Sequence, residues 1–232
     1  ESRDMAELYA SYVAERNMPT DSLLAALYTI LRIEPDYSMA RLQVLKIMID
    51  RDDMARVAST CREGELYDPT EITFYEGLAL FRLGRNREAM EQVQKGVERI
   101  DDETDLELAS DVYALLGDIL YDMRLKDEAY TAYDHALEYN AQNLLCLNNY
   151  AYFLSIDGRQ LDKAERMSRL TIEAEGDNGT YLDTYAWILY LKHEYAQARI
   201  YIEEALRYTP EDAESATTFD HAGDIYFRLN IR

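Results

Sequence analysis

The chain has 232 residues and carries 45 acids against 24 Lys and Arg, a net charge of −21. A surface of that sign repels phosphate backbones and anionic headgroups, so nucleic acid and direct membrane insertion are not expected. Its 9 Gly and 4 Pro are too few for the many turns of an all-β fold, and no apolar run approaches the roughly 18 residues that cross a bilayer.

Apolar residues recur at helical spacing nearly throughout, which predicts an all-α chain. In chain order the predicted helices are 3–17, 20–34, 37–51, 53–66, 70–84, 86–100, 106–123, 126–140, 144–157, 160–175, 179–192, 195–208 and 213–230. Pro19-Thr20-Asp21 opens the second with capping chemistry, and Pro35, Pro69 and Pro210 punctuate the ends of units. Gly84, Asp157-Gly158 and Asp177-Asn178-Gly179 mark turns. Cys61 and Cys146 each fall inside a helix, too far apart in the array to bridge, and are expected to be packing residues. The chain begins at Glu1 rather than Met, which suggests a piece of a longer protein.

The helices repeat as pairs. Small residues recur where two helices would cross closely, at Gly77, Gly117, Ala151, Ala186 and Gly223. After each of the first four an alanine follows, at Ala89, Ala129, Ala164 and Ala198, and then a second slim residue, at Gly96, Ala136, Thr171 and Ala205. The period is close to 34, the length of a helix–turn–helix unit that buries its apolar face against the next. From Gly77 to Gly117 the spacing is 40, with the excess around 100–107. That excess predicts a longer loop or a lengthened helix. The regular oxygen spacing and central glycine of a calcium loop are absent from it. The last helix, from Ala213, carries Phe219, Tyr226 and Phe227 and does not resemble a polar cap, so self-association through 213–230 is expected.

Convergent catalytic groups are not in evidence, and no catalytic, cofactor or metal site is expected. His135 reads as a surface residue and His193 as a turn residue. His221, beside Asp220 and one turn from Asp224, reads as part of a solvated helix face. No phosphate-cradling glycine loop or paired-cysteine zinc spacing occurs.

Tyr113, Leu116, Gly117, Leu120, Ala129, Tyr133 and Ala136 resemble the tetratricopeptide repeat family, and so do Leu182, Tyr185, Ala186, Leu189, Ala198, Ile202, Ala205 and Pro210. The units at 3–36 and 37–69 are degenerate, with Leu23 and Val57 in place of the contact alanine and Ser11 and Leu45 in place of the glycine. Those at 70–103, 110–143, 144–178 and 179–212 follow the pattern, and 213–230 is a lone first helix. The stretches Asn148–Leu154 and Tyr181–Trp187 are similar to long-array bacterial members of the family, several of them envelope adaptors. The resemblance implies a single domain over 1–232, a right-handed α-solenoid of about six and a half units. The compartment is not readable from the residues, and the resemblance leans toward the periplasmic side of a bacterial envelope.

In that family the first helices line a concave groove that holds a protein segment. Carried over residue by residue, the groove comprises Phe74, Leu78, Phe81, Asp118, Tyr121, Asn148, Tyr152, Asp183, Trp187, Tyr190, Asp220 and Asp224. The cationic partners of a carboxylate clamp are missing around Asn148 and Asn149, where Ala114, Asp118, Asp183 and Thr184 stand instead. An acidic, aromatic groove suits an extended segment with Lys or Arg among apolar residues. Asp183 is expected to be exposed on it. The expected role is a non-catalytic interaction scaffold. The alternatives are a soluble-ligand or glycan binder that uses Trp187 as a platform, and a regulatory domain of a larger enzyme.

Overall fold

A computed structural model describes residues 19–35, 37–63, 69–209 and 216–230, together with 4–5, 8–9, 11–12 and 16. Much of the predicted helix 3–17, Pro210, and the expected helix start at Ala213 lie outside these. Among the described residues there are twelve α-helices and no strand. They are α1 (Thr20–Ile33), α2 (Ser38–Asp50), α3 (Met54–Glu63), α4 (Pro69–Arg82), α5 (Asn86–Val97) and α6 (Leu106–Asp122). Then follow α7 (Lys126–Tyr139), α8 (Leu144–Ile156), α9 (Leu161–Ala174), α10 (Gly179–Leu191), α11 (Tyr195–Tyr208) and α12 (Ala216–Arg228).

The helices form two compact units, Glu1–His135 and Ala136–Arg232. In the first, each of α1 to α5 packs on its successor, and α4 also packs on α6. In the second, each of α8 to α11 packs on its successor, and α10 touches both α8 and α12. First helices of successive pairs therefore stand side by side within each unit. One core, in the first unit, runs from Ala26 and Leu27 through Val44, Leu45 and Val57 to Ala79. Another, in the second, gathers Leu182, Ala186, Leu189, Ala198, Ile202 and Ile225.

The small residues act where their spacing placed them. A methyl added at Gly77 would lie 2.3 Å from Val93 Cγ2, and one at Gly117 would lie 2.6 Å from the Tyr133 ring. Ala151, Ala186, Ala89, Ala129, Ala164 and Ala198 are fully buried. Gly223 breaks the series. Nothing lies within 4 Å of a methyl built there, so the expected close crossing is not made among the described residues. The degenerate first third keeps its packing with larger side chains: Leu45 and Val57 are fully buried where slim residues stand elsewhere.

Every described turn inside a helix pair uses one device. Asp52, Gly84, Arg124, Gly158 and His193 all have positive φ, between 54° and 73°. The next amide then reaches back to the preceding helix, as from Arg85 to the Leu80 carbonyl at 2.8 Å and from Glu194 to that of Leu189 at 2.9 Å. This is the left-handed stop that reverses a helix within a few residues. Asn230, after α12, has φ 54° and completes the set.

The excess around 100–107 becomes both things that were expected, a loop and a lengthened helix. Asp101 accepts hydrogen bonds from the Glu103 amide and the Thr104 hydroxyl, both at 3.0 Å, in a compact turn. Asp105 then caps α6 by accepting from the Glu107 and Leu108 amides. α6 itself runs to 17 residues, against 14 in α4 and 13 in α8 and α10.

Lys192, just past α10, fastens two pairs together by donating to Asp162 at 2.6 Å and to Glu165 at 2.5 Å on α9. The hydrogen bond from Lys192 holds both carboxyls below their usual range. A carboxyl lowered in the folded state contributes stability above its ordinary pKa and loses it as pH falls through the folded value. Lys192→Met should therefore flatten the acid limb of stability between about pH 5 and 2, read from urea midpoints across pH. An unchanged acid limb would remove the clamp from the account. Two alanine substitutions should also move in opposite directions. Gly117→Ala forces Tyr133 aside and should cost about 1–3 kcal/mol. Gly223→Ala meets open space and should gain up to about 1 kcal/mol from helix propensity. Equal effects at the two sites would contradict the packing described.

Candidate functional site

In the second unit the first helices α8, α10 and α12 bring the expected residues to one neighbourhood, but not as an open acidic groove. Asp183 and His221 sit in corresponding regions of α10 and α12, and each is only 7% exposed. His221 Nδ1 lies 2.9 Å from Asp183 Oδ1. The carboxylate accepts, so Nδ1 carries the proton. This corrects two expectations: Asp183 is not exposed, and His221 is not on a solvated face. Thr218, His221, Ala222 and Ile225 form the inward side of α12, while Asp220 and Asp224 point to water.

Trp187 is engaged in the same cluster. Its ring stacks on His221 at 4.0 Å between centroids and 13°, and on Tyr190 at 4.9 Å and 16°. Tyr152, from α8, lies tilted by 52° against His221 at 6.3 Å between centroids. Burial and then the nearby Asp183 charge push the Tyr152 hydroxyl above its usual pKa. Arg228 lies 3.5 Å from the Tyr190 hydroxyl. A ligand using Trp187 as a platform would compete with the protein's own rings. Two polar atoms in this neighbourhood have no hydrogen-bond partner, Trp187 Nε1 and Asn148 Oδ1. Asn148 is 4% exposed, so its amide is not offered at the surface in the way a carboxylate clamp requires.

In the first unit, Phe74, Leu78 and Phe81 lie along α4 at spacings of four and three, and all three are half-buried. Asp118 on α6 is also half-buried and accepts from the Tyr133 hydroxyl at 2.5 Å. Tyr121 is buried. Burial, followed by the Glu71 and Asp111 carboxylates, pushes the Tyr75 hydroxyl up to about 12.

Among the described residues no cluster of three or more His, Cys, Asp or Glu is set to hold a metal ion, and no helix is long and apolar enough to cross a membrane. Cys61 and Cys146 are free and buried. His135 is exposed, and His193 shares a 2.7 Å hydrogen bond with the Tyr195 hydroxyl in its turn.

The Asp183–His221 bond is a buried polar link between α12 and α10. Removing one member leaves the other buried without it. His221→Ala should cost about 3 kcal/mol or more in urea unfolding. The double variant with Asp183→Ala should cost less than the sum of the two single changes. Strict additivity, or a single loss within about 0.5 kcal/mol, would contradict the link.

A family profile described as tetratricopeptide repeat matches residues 110–143. No curated protein matches the chain. Solved structures do. The Pseudomonas aeruginosa pilF protein is 18% identical, with 99% of this chain and 100% of that one covered and a TM-score of 0.73. A tetratricopeptide repeat protein from Parabacteroides merdae is 13% identical over 98% of this chain and 87% of its own, at a TM-score of 0.70. YrrB, a repeat protein with an unusual peptide-binding site, is 13% identical over 84% of this chain and 96% of its own, at 0.56. A tetratricopeptide repeat thus lies at 110–143, and the chain as a whole shares the all-α fold of solved tetratricopeptide repeat solenoids.

Proposed function

We propose that the chain is a non-catalytic interaction scaffold whose first helices bind an extended protein segment carrying Lys or Arg among apolar residues. Tetratricopeptide folds in general serve protein–protein interaction, and YrrB is a solved example with a peptide-binding site. The observation that carries the proposal here is the α4 stripe. Phe74, Leu78 and Phe81 are half-buried on a first helix, the helix that also carries Tyr75, whose hydroxyl is raised by burial first and then by the Glu71 and Asp111 carboxylates. Apolar side chains of a bound segment would cover the stripe, and its cations would answer the carboxylates. In the second unit the exposed Asp220 and Asp224 offer the same charge, whereas Asp183 is already committed to His221.

Calorimetry with two peptides of equal length and apolar content, one rich in Lys and Arg and one acidic, tests the proposal. The basic peptide should bind and the acidic one should not. Affinity should fall several-fold as salt shortens the Debye length from about 14 to 6 Å. Leu78→Asp should weaken apolar contact while leaving helicity intact, since the side chain is only half-buried. Preferential binding of the acidic peptide, or affinity indifferent to salt, would overturn the proposal.

A further inference from the structure

At the open end of the α8–α9 pair, away from its turn at Gly158, lies a cleft of about 370 Å³. The start of α8 supplies Leu144 and Leu147, the end of α9 supplies Leu170, Glu173 and Ala174, and Gln142 stands in the link before α8. The register of the repeat explains it. Seven residues before the slim crossing residue, α6 has Ser110 and α10 has Gly179, but α8 has Leu144. Three residues after the second slim residue, α7 has Tyr139 and α11 has Tyr208, but α9 has Ala174. A methyl built on Gly179 would already lie 3.3 Å from the Ala205 carbonyl oxygen, so α10 and α11 close on one another there. Leu144 is too large for that approach, and Ala174 is too short to fill the room it leaves.

The polar groups differ in the same register. In α11 Glu204 is paired with Arg207 at 2.7 Å. α9 has Leu170 and Glu173 at those positions. Leu170 is 49% exposed, an apolar side chain on the lip of the cleft. Glu173 is exposed, and among the described residues no cation is paired with it. Arg169, the nearest cation along α9, is engaged by Glu165. A concave, mostly apolar site of this volume with one or two convergent polar groups is the ordinary form of a small-molecule site.

We propose that this cleft binds a small organic cation: a compact apolar body, such as an aromatic ring or a branched alkyl group, carrying one ammonium group. The body would displace water from Leu144, Leu147 and Leu170, and the ammonium would pair with Glu173, with the Gln142 amide oxygen as a second acceptor. Size sets the class. The residues of each wall span about one helical turn, about 5–6 Å. That length holds one compact group, whereas an extended chain advances about 3.3 Å with every residue. The sign follows from the unpaired Glu173 and from the net charge of −21, which repels anions. The cleft lies on a different helix pair from the α4 stripe and does not rest on the reading given to it. With Leu170 half-exposed the cleft is open on one side, and for a ligand of so few atoms the Kd should be on the order of a millimolar.

Amide shift titration of the whole chain with phenethylamine, set against phenethyl alcohol and hydrocinnamate, is the test. The amine should shift the amides of 142–147 and 170–174. It should bind several-fold more tightly than the alcohol, and the acid should not bind. Glu173→Gln should bring the amine to the alcohol's affinity and leave the alcohol unchanged. Ala174→Tyr copies the residue that α7 and α11 carry in this register. It should fill the cleft and abolish binding of both, with unchanged circular dichroism because the position is exposed. Leu78→Asp should leave amine binding as it was, so failure of this site and failure of the α4 reading are told apart. Equal affinity for all three compounds, preference for the acid, or amine binding that survives Ala174→Tyr would overturn the proposal. So would a Lys- and Arg-bearing apolar peptide that shifts the cleft amides while the amine does not, which would give the cleft to a protein segment.

Discussion

Close approach between paired helices at slim residues is the constraint on which the rest of the structure depends. Where Gly117 admits the Tyr133 ring, the second helix can lie directly on the first. The fully buried alanines at 89, 129, 164 and 198 show the same intimacy from the other side. Once paired so tightly, the helices need an abrupt reversal between them, and a left-handed residue supplies it in each described turn, joined by a second, Gln160, in the turn at Gly158. At Gly84 and Gly158 that conformation carries no Cβ penalty. At Arg124 and His193 the packing around the turn offsets one. Fixed pairs with short turns leave each first helix only its flanks and outer face for neighbours, and the proposed partner surface lies on those faces.

Electrostatics acts within this frame. The excess of acid is not spent in one way. Asp105 satisfies the start of α6, Asp162 and Glu165 are held by Lys192 between neighbouring pairs, and Asp183 is buried against His221. Asp220 and Asp224 stay exposed. Buried acids need a partner inside the protein to repay their desolvation, so a count of aspartates on one helix face overstates the charge that a ligand meets.

The helix spans were legible because pairing imposes a regular rhythm on small residues, and each described helix lies within three residues of its predicted bounds. The turns at Gly84 and Gly158 were legible for the same local reason. The His221 environment was not. Its partner lies 38 residues away on another first helix, whereas its sequence neighbours Asp220 and Asp224 are carboxylates that suggest a wet surface. One step along a helix rotates the side chain by about 100°, enough to move from the exposed face to the inward one. The burial of Asn148 and Tyr121 was hidden in the same way. Residues carried over from a family's groove arrive with a position on a helix but without the local tilt and neighbours that decide their exposure. Gly223 fits the small-residue series in sequence and departs from it in space, because a slim residue matters only where something is packed on it.

The central claim is that partner contact belongs to the first-helix faces, while the Asp183–His221 cluster holds helices together. Backbone amide shift mapping during titration with a Lys- and Arg-rich apolar peptide tests this most directly. The account predicts perturbations centred on Phe74, Leu78 and Phe81, and around Asp220 and Asp224, with the His221 ring resonances nearly still. Perturbations centred on the second helices, at α5, α9 or α11, with the first helices silent, would contradict it.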